Sequence, residues 1–448
     1  MINRDLYKFL NNWKESKTRL PLILRGARQV GKTTLIHQFG KTYKQYLYFN
    51  LEKPTDKIHF AQSTNLDILV QLMFISRGQI NDANLSTLVF IDEIQEAPHI
   101  LELLRYFHED YPHIHIIVTG SLLEFALDKI FNVPVGRIEF AELNPVSFKE
   151  FLNALGQIQL IKLMDNCPID NELLLPIFNL FHEYAQVGGM PQITQSYINE
   201  KNLSQTLRLY NAITESFKID VEKYGKNHTQ KQVIKHLMNT MVYEVDNRIK
   251  FNNFAHSNYK SREVKEAFHA LEKAKLVELI YPSTNVSMPI YTDFGKSPRL
   301  QFLDIGLLNF QLGLHSELLK VNDLHALSKG KIVQQLVTQE IKSNQFLPSQ
   351  KIHFWVRELN GSNAEVDLIY PFQNLLIPIE IKSGASGTLR SLFEYMDQCP
   401  HHFAVRLYSG PISEQVITTR KGKSFKLLNL PYFLGAWLDI YLEWFIEK

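Results

Sequence analysis

The chain has 448 residues, with 48 Lys plus Arg against 46 Asp plus Glu, a formal charge of +2, and 45% hydrophobic, 12% aromatic and 21% charged residues. That length exceeds one ordinary hydrophobic core and predicts two to four domains, while the composition excludes a disordered or low-complexity chain. The near-neutral balance excludes a globally polybasic nucleic-acid binder, so any basic surface is local.

The amino-terminal stretch MINRDLYKFLNNWKESK carries an early acid and frequent Lys and Asn, and does not read as a signal peptide. No apolar run approaches the ~18 residues of a membrane span. Cys167 and Cys399 are too far apart in sequence to suggest a disulfide framework or a thiolate metal site. The expectation is a cytoplasmic, multi-domain protein with no membrane partner.

In LILRGARQVGKTTLIHQF, Leu22 to Leu24 form an apolar run expected to be a buried strand, and Gly26, Gly31, Lys32 and Thr33 then match G-x-x-x-x-G-K-[ST]. Leu35, Ile36 and Phe39 follow at helical spacing, which completes the strand–loop–helix setting. Gly26, Ala27, Arg28, Gln29, Val30 and Gly31 are expected to wrap the phosphates of ATP in backbone N–H groups, continued by Lys32, Thr33 and Thr34 at a helix start. Lys32 supplies a point charge and the Thr33 hydroxyl binds Mg²⁺.

In LVFIDEIQEAP, Leu88 to Ile91 read as a central parallel strand covered on both faces. Asp92 and Glu93 follow at its carboxyl end, where open α/β sheets bind ligands. Asp92 is expected to hold Mg²⁺ through water, and Glu93 to orient or deprotonate the attacking water. The same acids also fit a helix N-cap, since helical periodicity resumes with Ile100, Leu103 and Leu104. In HIHIIVTGSLLEF a further buried strand ends in Thr119, Gly120 and Ser121; Thr119 or Ser121 touches the γ-phosphate or the attacking water, or caps the next helix. His108, His113 and His115 read as solvated or core histidines. Arg137, after a Pro/Gly turn, is a candidate for stabilising transition-state charge, or else a surface partner for carboxylates.

Residues from about Phe148 to Lys218 alternate helical patterns with polar breaks such as QVGGMPQIT, and read as a helical lid over the nucleotide. Between 231 and 285, Val233, Ile234, Leu237 and Met241 mark one helix face and Val264, Ala267, Phe268 and Leu271 another, followed by a strand; this is a winged-helix outline. Lys260, Arg262, Lys265, Lys273 and Lys275 offer DNA contacts, but Glu263, Glu266 and Glu272 among them also fit a solvated mixed-charge face or a protein-docking module.

In the last third, Ile332, Val333, Leu336 and Val337 mark a helix, and KIHFWVRELN, NAEVDLIYPF, LLIPIEIKSG and HFAVRLYSG read as strands. Alternation puts Val366 and Leu368 on one face with Glu365 and Asp367 on the other, and Ile377, Ile379 and Ile381 opposite Glu380 and Lys382. A hairpin at YPFQN would bring Asp367, Glu380 and Lys382 together. Two carboxylates suit a second divalent cation, Mg²⁺ or Mn²⁺, and a lysine can activate water for attack at phosphorus. A cross-strand Glu–Lys ion pair fits the same letters.

The D…E-x-K arrangement resembles the PD-(D/E)xK nuclease superfamily. Taken in order, GARQVGKTTL, LVFIDEIQEA, VTGSLLEF, VPVGRIEFAELNPVSFKEF, VGGMPQ, FLDIGLLNFQLG and EVDLIY…IEIKSG make nearly the whole chain resemble the prokaryotic ATP-binding proteins with an AAA-type core and an uncharacterised C-terminal domain. The resemblance implies an α/β protein: an AAA+-like P-loop NTPase core with a helical lid, a winged-helix insert and a C-terminal restriction-endonuclease-like domain. The expected divisions are 1–155, 156–225, 226–320 and 321–448. It implies ATP and Mg²⁺ roles for Gly26, Gly31, Lys32, Thr33, Asp92 and Glu93, and nuclease-site roles for Asp367, Glu380 and Lys382. Two positions depart from the nuclease pattern: Val366 replaces a frequent proline, and Gln334 stands where the preceding helix often presents a glutamate to the metal. The expected function is an ATPase whose nucleotide state controls the winged-helix and nuclease-like regions, linked to DNA. The alternatives are an ATP-gated metal-dependent defence nuclease and a slowly hydrolysing scaffold for a protein partner or self-assembly.

Overall fold

The computed structural model describes residues 2–61, 65–121, 123–128, 136–221, 225, 227–314, 331–359, 362–382 and 389–448. The first part carries α1 (Leu6–Glu15), β1 (Leu22–Arg25), α2 (Lys32–Gly40), β2 (Gln45–Asn50), α3 (Pro54–Ala61), α4 (Leu66–Ser76), β3 (Thr87–Asp92), α5 (Ile100–Asp110), β4 (Ile114–Thr119), α6 (Leu123–Leu127) and β5 (Glu139–Glu142). Its five strands form one parallel sheet in the order β2-β3-β4-β1-β5. β3 and β4 are buried at every position because both faces are covered. Alternation sends Val89, Ile91, Ile116 and Val118 into one apolar core, and Leu88, Phe90 and Ile117 into the other. The carboxyl ends of β1, β3 and β4 therefore meet along one sheet edge.

The chain continues through α7 (Phe148–Ala154), α8 (Ile158–Asp165), α9 (Leu174–Val187), α10 (Pro191–Glu200), α11 (Leu203–Val221), α12 (His228–Thr240) and α13 (Ser261–Lys273). Then come β6 (Val277–Ile280), the two-residue β7 (Pro282–Ser283), β8 (Arg299–Phe302) and α14 (Ile305–Gln311), with β6 and β8 antiparallel. The last part comprises α15 (Lys331–Ser343), β9 (His353–Leu359), β10 (Ser362–Phe372), β11 (Leu375–Ile381), α16 (Arg390–Met396), β12 (Phe403–Tyr408), β13 (Ser413–Thr418), β14 (Ser424–Pro431) and α17 (Leu438–Glu447). A mixed sheet orders them β13-β14-β12-β11-β10-β9-β7, so the middle of the chain donates an edge strand to the C-terminal sheet. The hairpin at YPFQN is a two-residue turn, Gln373–Asn374, between Phe372 and its partner Leu375.

The expected division at 320/321 lies outside the described residues. On either side of it the core has no break: one apolar cluster includes Phe148 of α7, Leu237 of α12, Phe268 of α13, Ile379 of β11 and Phe445 of α17. Two of the expected DNA-contacting lysines pair with carboxylates of the first part. Lys273 pairs with Asp128, and the Lys275 Nζ lies 3.0 Å from a Glu142 carboxylate oxygen, so both tie α13 and its following turn to the first part. Arg262 is exposed and pairs with Glu266 one helical turn on. No described helix is long and apolar enough to cross a membrane.

Glu340, wholly buried on α15, joins the C-terminal part to α7 and α9. The Phe148 N–H at the start of α7 donates to it at 2.9 Å and the Tyr184 hydroxyl at 2.7 Å. Burial pushes its carboxyl up to about 8, so the neutral acid prevails at pH 7. Glu340→Ala should orphan both donors and cost about 1–3 kcal/mol for each. Glu340→Gln, which keeps a neutral group of the same shape, should cost much less; urea unfolding of the two variants at pH 7 measures the difference.

Candidate functional site

The loop after β1 is built on backbone that only glycine tolerates. Gly31 has φ +94°, and a Cβ at Gly26 would lie 2.5 Å from the Leu143 carbonyl oxygen. With that space kept, the Lys32 ammonium folds back to donate to the Gly26 and Ala27 carbonyls, each at 2.8 Å. Burial pushes Lys32 down to about 8, against the pull of Glu93 and Asp92. Thr33 Oγ1 donates to Asp92 Oδ2 at 2.8 Å, so the hydroxyl and the carboxylate expected to share Mg²⁺ touch across 59 residues of sequence. Thr119 donates to the other Asp92 oxygen.

Glu93 leaves β3 in the left-handed region, φ +57°. Its Oε2 accepts from the Ser121 N–H at 3.1 Å, the Ser121 hydroxyl at 3.0 Å and Gln95 Nε2 at 2.6 Å. Thr119 thus sits on Asp92 and Ser121 on Glu93. Arg28 pairs with Asp220 and Gln29 Nε2 lies 3.3 Å from Ser216 Oγ, so the loop's side chains grip α11. A cavity of about 840 Å³ is lined by Gly31, Lys32, Thr33, Thr34, Asp92, Glu93 and Ser121, and on its far wall by Pro191, Gln192, Gln195 and Asn199 of α10.

Arg137 is not brought to this group. It precedes β5, which runs parallel to β1, and so lies at the amino edge of the sheet; it is half exposed, 3.6 Å from Glu109. Two arginines line the cavity, Arg28 of the loop and Arg4. Arg4 was not expected there. Its Nη1 donates to the Val30 carbonyl at 2.8 Å, its Nη2 to the Asn144 carbonyl at 2.6 Å and its Nε to Glu150 at 2.9 Å. Nothing in MINRDLYKFL announces that role. His115 is core, with its Nδ1 2.8 Å from the Tyr43 hydroxyl, and burial pushes it down to about 3.

The C-terminal polar face is assembled by the hairpin. Leu368 pairs with Ile379, which sets Asp367 beside Glu380, and the Ile381 N–H donates to Asp367 Oδ2 at 2.8 Å. Lys382 pairs with Glu380, whose second carboxylate oxygen is buried without a protein partner. Gln334 Nε2 on α15 is likewise buried without one. Burial pushes Asp367 and Glu380 up. Arg299 has no local signal: from β8 it donates to the Asp367 carbonyl at 2.9 Å, pairs with Glu365 and stands 3.7 Å from Asp246. Among the described residues no group of three or more His, Cys, Asp or Glu is placed to hold a metal ion. Asp367 and Glu380 fit a cation as a pair of oxygen donors only.

Residues 18–152 match the AAA domain, residues 178–318 a domain of unknown function (DUF8612) and residues 329–432 another (DUF4143). No curated protein matches the chain at a significant level. Among solved structures, the Walker-type ATPase of Pyrococcus abyssi is 13% identical, covering 70% of this chain and 96% of that one, with a TM-score of 0.43. The ORC1 protein of Aeropyrum pernix, solved in complex with DNA, is 11% identical, covering 69% and 90%, with a TM-score of 0.30. Both are too remote to bear on the site. Residues 18–152, with the P-loop and parallel sheet they contain, are an AAA-type ATPase domain.

Proposed function

We propose that the chain binds Mg-ATP between the P-loop and α10 and hydrolyses it, and that the bound nucleotide sets the grip of Arg28 and Gln29 on α11 and through it the middle and C-terminal regions. The observation that carries this reading is the convergence of Lys32, Thr33, Asp92 and Glu93 on one cavity of about 840 Å³. Thr33 and Asp92 would hold Mg²⁺, which neutralises phosphate charge when bound. Lys32 turns its ammonium from the Gly26 and Ala27 carbonyls to a phosphate. Glu93 orients and deprotonates the attacking water, with Ser121 and Gln95 fixing its carboxylate. In this reading the chain divides into an ATPase core (1–155), a helical lid (156–225), a winged-helix-like region (226–320) and a nuclease-like region (321–448), with DNA as the partner.

Lys32→Ala should lose Mg-ATP binding, whereas Glu93→Gln should bind ATP as the wild type does and turn over at least ~100-fold more slowly. Calorimetric binding with phosphate-release kinetics checks both, and unchanged turnover in Glu93→Gln overturns the assignment.

The Lys32 shift adds a pH dependence with a definite sign. Free Lys32 begins to lose its proton near pH 8, and a bound phosphate favours the charged form. ATP binding should therefore take up a proton at pH 8–9, with affinity falling as pH rises through 8. Calorimetry in buffers of different ionisation enthalpy reads that uptake directly, and Lys32→Arg should abolish it.

The unpartnered Glu380 oxygen beside Asp367 favours a second reading, an ATP-gated metal-dependent nuclease. It expects Mn²⁺-dependent cutting of plasmid or single-stranded DNA that disappears in Asp367→Ala and Lys382→Ala. Intact ATP hydrolysis without cutting leaves the C-terminal face as a binding platform.

A further inference from the structure

The 284–298 loop between β7 and β8 is tightly built yet holds its largest side chains outside. Asn285 accepts from the Tyr291 N–H at 3.2 Å and donates to the Ser287 and Pro289 carbonyls, each at 2.6 Å. The Asp293 N–H donates to the Pro282 carbonyl at 2.9 Å, and the Thr292 hydroxyl lies 2.8 Å from His353 of β9. On this scaffold Tyr291 is 70% exposed and Phe294 67%, the two most exposed aromatic rings among the described residues. A loop pinned to its own backbone and to a neighbouring strand, with Phe294 braced against the Tyr281 ring (centroids 5.0 Å apart) and both rings largely exposed, is preorganised for contact.

Cations gather beside those rings. Residues 248–249 run antiparallel to the end of the loop: Arg248 Nε donates to the Ser297 carbonyl at 3.3 Å and the Ile249 N–H to the Pro298 carbonyl at 2.8 Å. A cavity of about 440 Å³ opens there, lined by Arg248, Lys250, Gly295, Lys296, Ser297 and Glu358. Three cationic side chains face one carboxylate in it; Glu358 bridges Arg248 at 2.6 Å and Lys296 at 2.5 Å. Arg248 also stands 3.7 Å from Glu365 of β10, the strand that carries Asp367, so the pocket lies beside that strand.

We propose that this loop and the 246–250 segment form a binding surface for single-stranded nucleic acid, with Tyr291 and Phe294 stacking bases and Arg248, Lys250 and Lys296 holding phosphates. Exposed rings interleaved with cations suit unpaired bases, whose faces are free. A duplex keeps those faces stacked inside. A protein partner would call for an apolar groove, and here the loop that carries the rings runs on into a charged pocket at Gly295, Lys296 and Ser297. The direction of the strand, towards Asp367 and Glu380, rests on the nucleic-acid reading given above. The surface itself lies apart from the ATP cavity.

The test is fluorescence anisotropy of the full chain with a labelled oligothymidine and with a duplex of equal length, at low and moderate salt, beside ATP turnover of the same samples. The single strand should bind more tightly than the duplex, and affinity should fall as salt rises. Tyr291→Ala with Phe294→Ala should weaken single-strand binding at least about tenfold, Lys296→Ala should flatten the salt dependence, and Tyr291→Phe should bind as the wild type does, all with unchanged ATP turnover. Wild type that turns over ATP but binds no single strand overturns this surface and leaves the ATPase reading standing. Equal affinity for duplex, or binding indifferent to removal of both rings, overturns it in favour of a plain electrostatic patch.

Discussion

The buried ion pair between Arg4 and Glu150, 2.9 Å apart, is the constraint on which the nucleotide site rests. Both side chains are fully engaged. Arg4 also holds the Val30 and Asn144 carbonyls, while Glu150 accepts from the Asp5 N–H at 2.7 Å and closes the capping box of α7 through the Ser147 N–H at 3.0 Å. One pair thus fixes the amino terminus, the P-loop backbone and a helix start. Removing either partner would leave a buried charge uncompensated, a loss on the order of 3–5 kcal/mol. It would also free the peptide preceding Gly31, whose orientation decides whether the loop's N–H groups point at a phosphate.

The same helix start receives the C-terminal part. Next to Ser147, the Phe148 N–H is capped by Glu340 of α15, and Tyr184 of α9 shares that carboxyl. Gln339 Nε2 lies 3.1 Å from the Tyr184 hydroxyl, and its Oε1 accepts the Ile305 N–H at 2.9 Å. Asp304, pushed up to about 6 by burial, accepts the Gly189 N–H at 2.6 Å just ahead of α10. A contiguous buried polar chain therefore runs from the P-loop to the helix that lines the far wall of the cavity. Such a chain is stable only with each member satisfied, which makes its parts interdependent.

The nucleotide site was legible because its chemistry sits on short contiguous motifs whose covalent spacing dictates the geometry. Gly26 to Thr33 and Asp92–Glu93 are each one strand end, and parallel strands deliver their ends to one edge. Arg137 failed on the same rule: a residue before a parallel strand belongs to the opposite edge. The Asp367–Glu380 pairing was legible from the two-residue hairpin, but the alternation around it was not: a bulge between Val366 and Ile369 sends Val366 and Leu368, expected on one face, into different apolar cores. What stayed hidden were partners set by packing of distant segments: Arg4 with Glu150 across 146 positions, Arg28 with Asp220 across 192, Arg299 with Glu365 across 66. Each is an ordinary letter in its local window, and no periodicity distinguishes it. The ion pairs of Lys273 and Lys275 were hidden for the same reason, their carboxylate partners lying in another part of the chain.

Arg299 shows how the middle and C-terminal regions are bound to each other. Asp246, pushed up to about 8 by burial, stands with Glu365 and Asp367 around this one guanidinium, and Arg299 is itself buried. Drawing it away would leave the Asp367 carbonyl and the Asp246 and Glu365 carboxyls without that buried donor. With β7 in the C-terminal sheet and an unbroken apolar core, those regions hold as one body. The joint with the parallel sheet is different in kind. There Glu142, Lys275, Glu278, Gln301, Gln339 and Lys342 line a cavity of about 200 Å³, and Lys273–Asp128 and Arg28–Asp220 bridge the parts. Polar contacts can be exchanged for water far more cheaply than packed side chains. The contacts along this seam are therefore the ones most cheaply exchanged, and Arg28 and Gln29 of the P-loop cross it to α11.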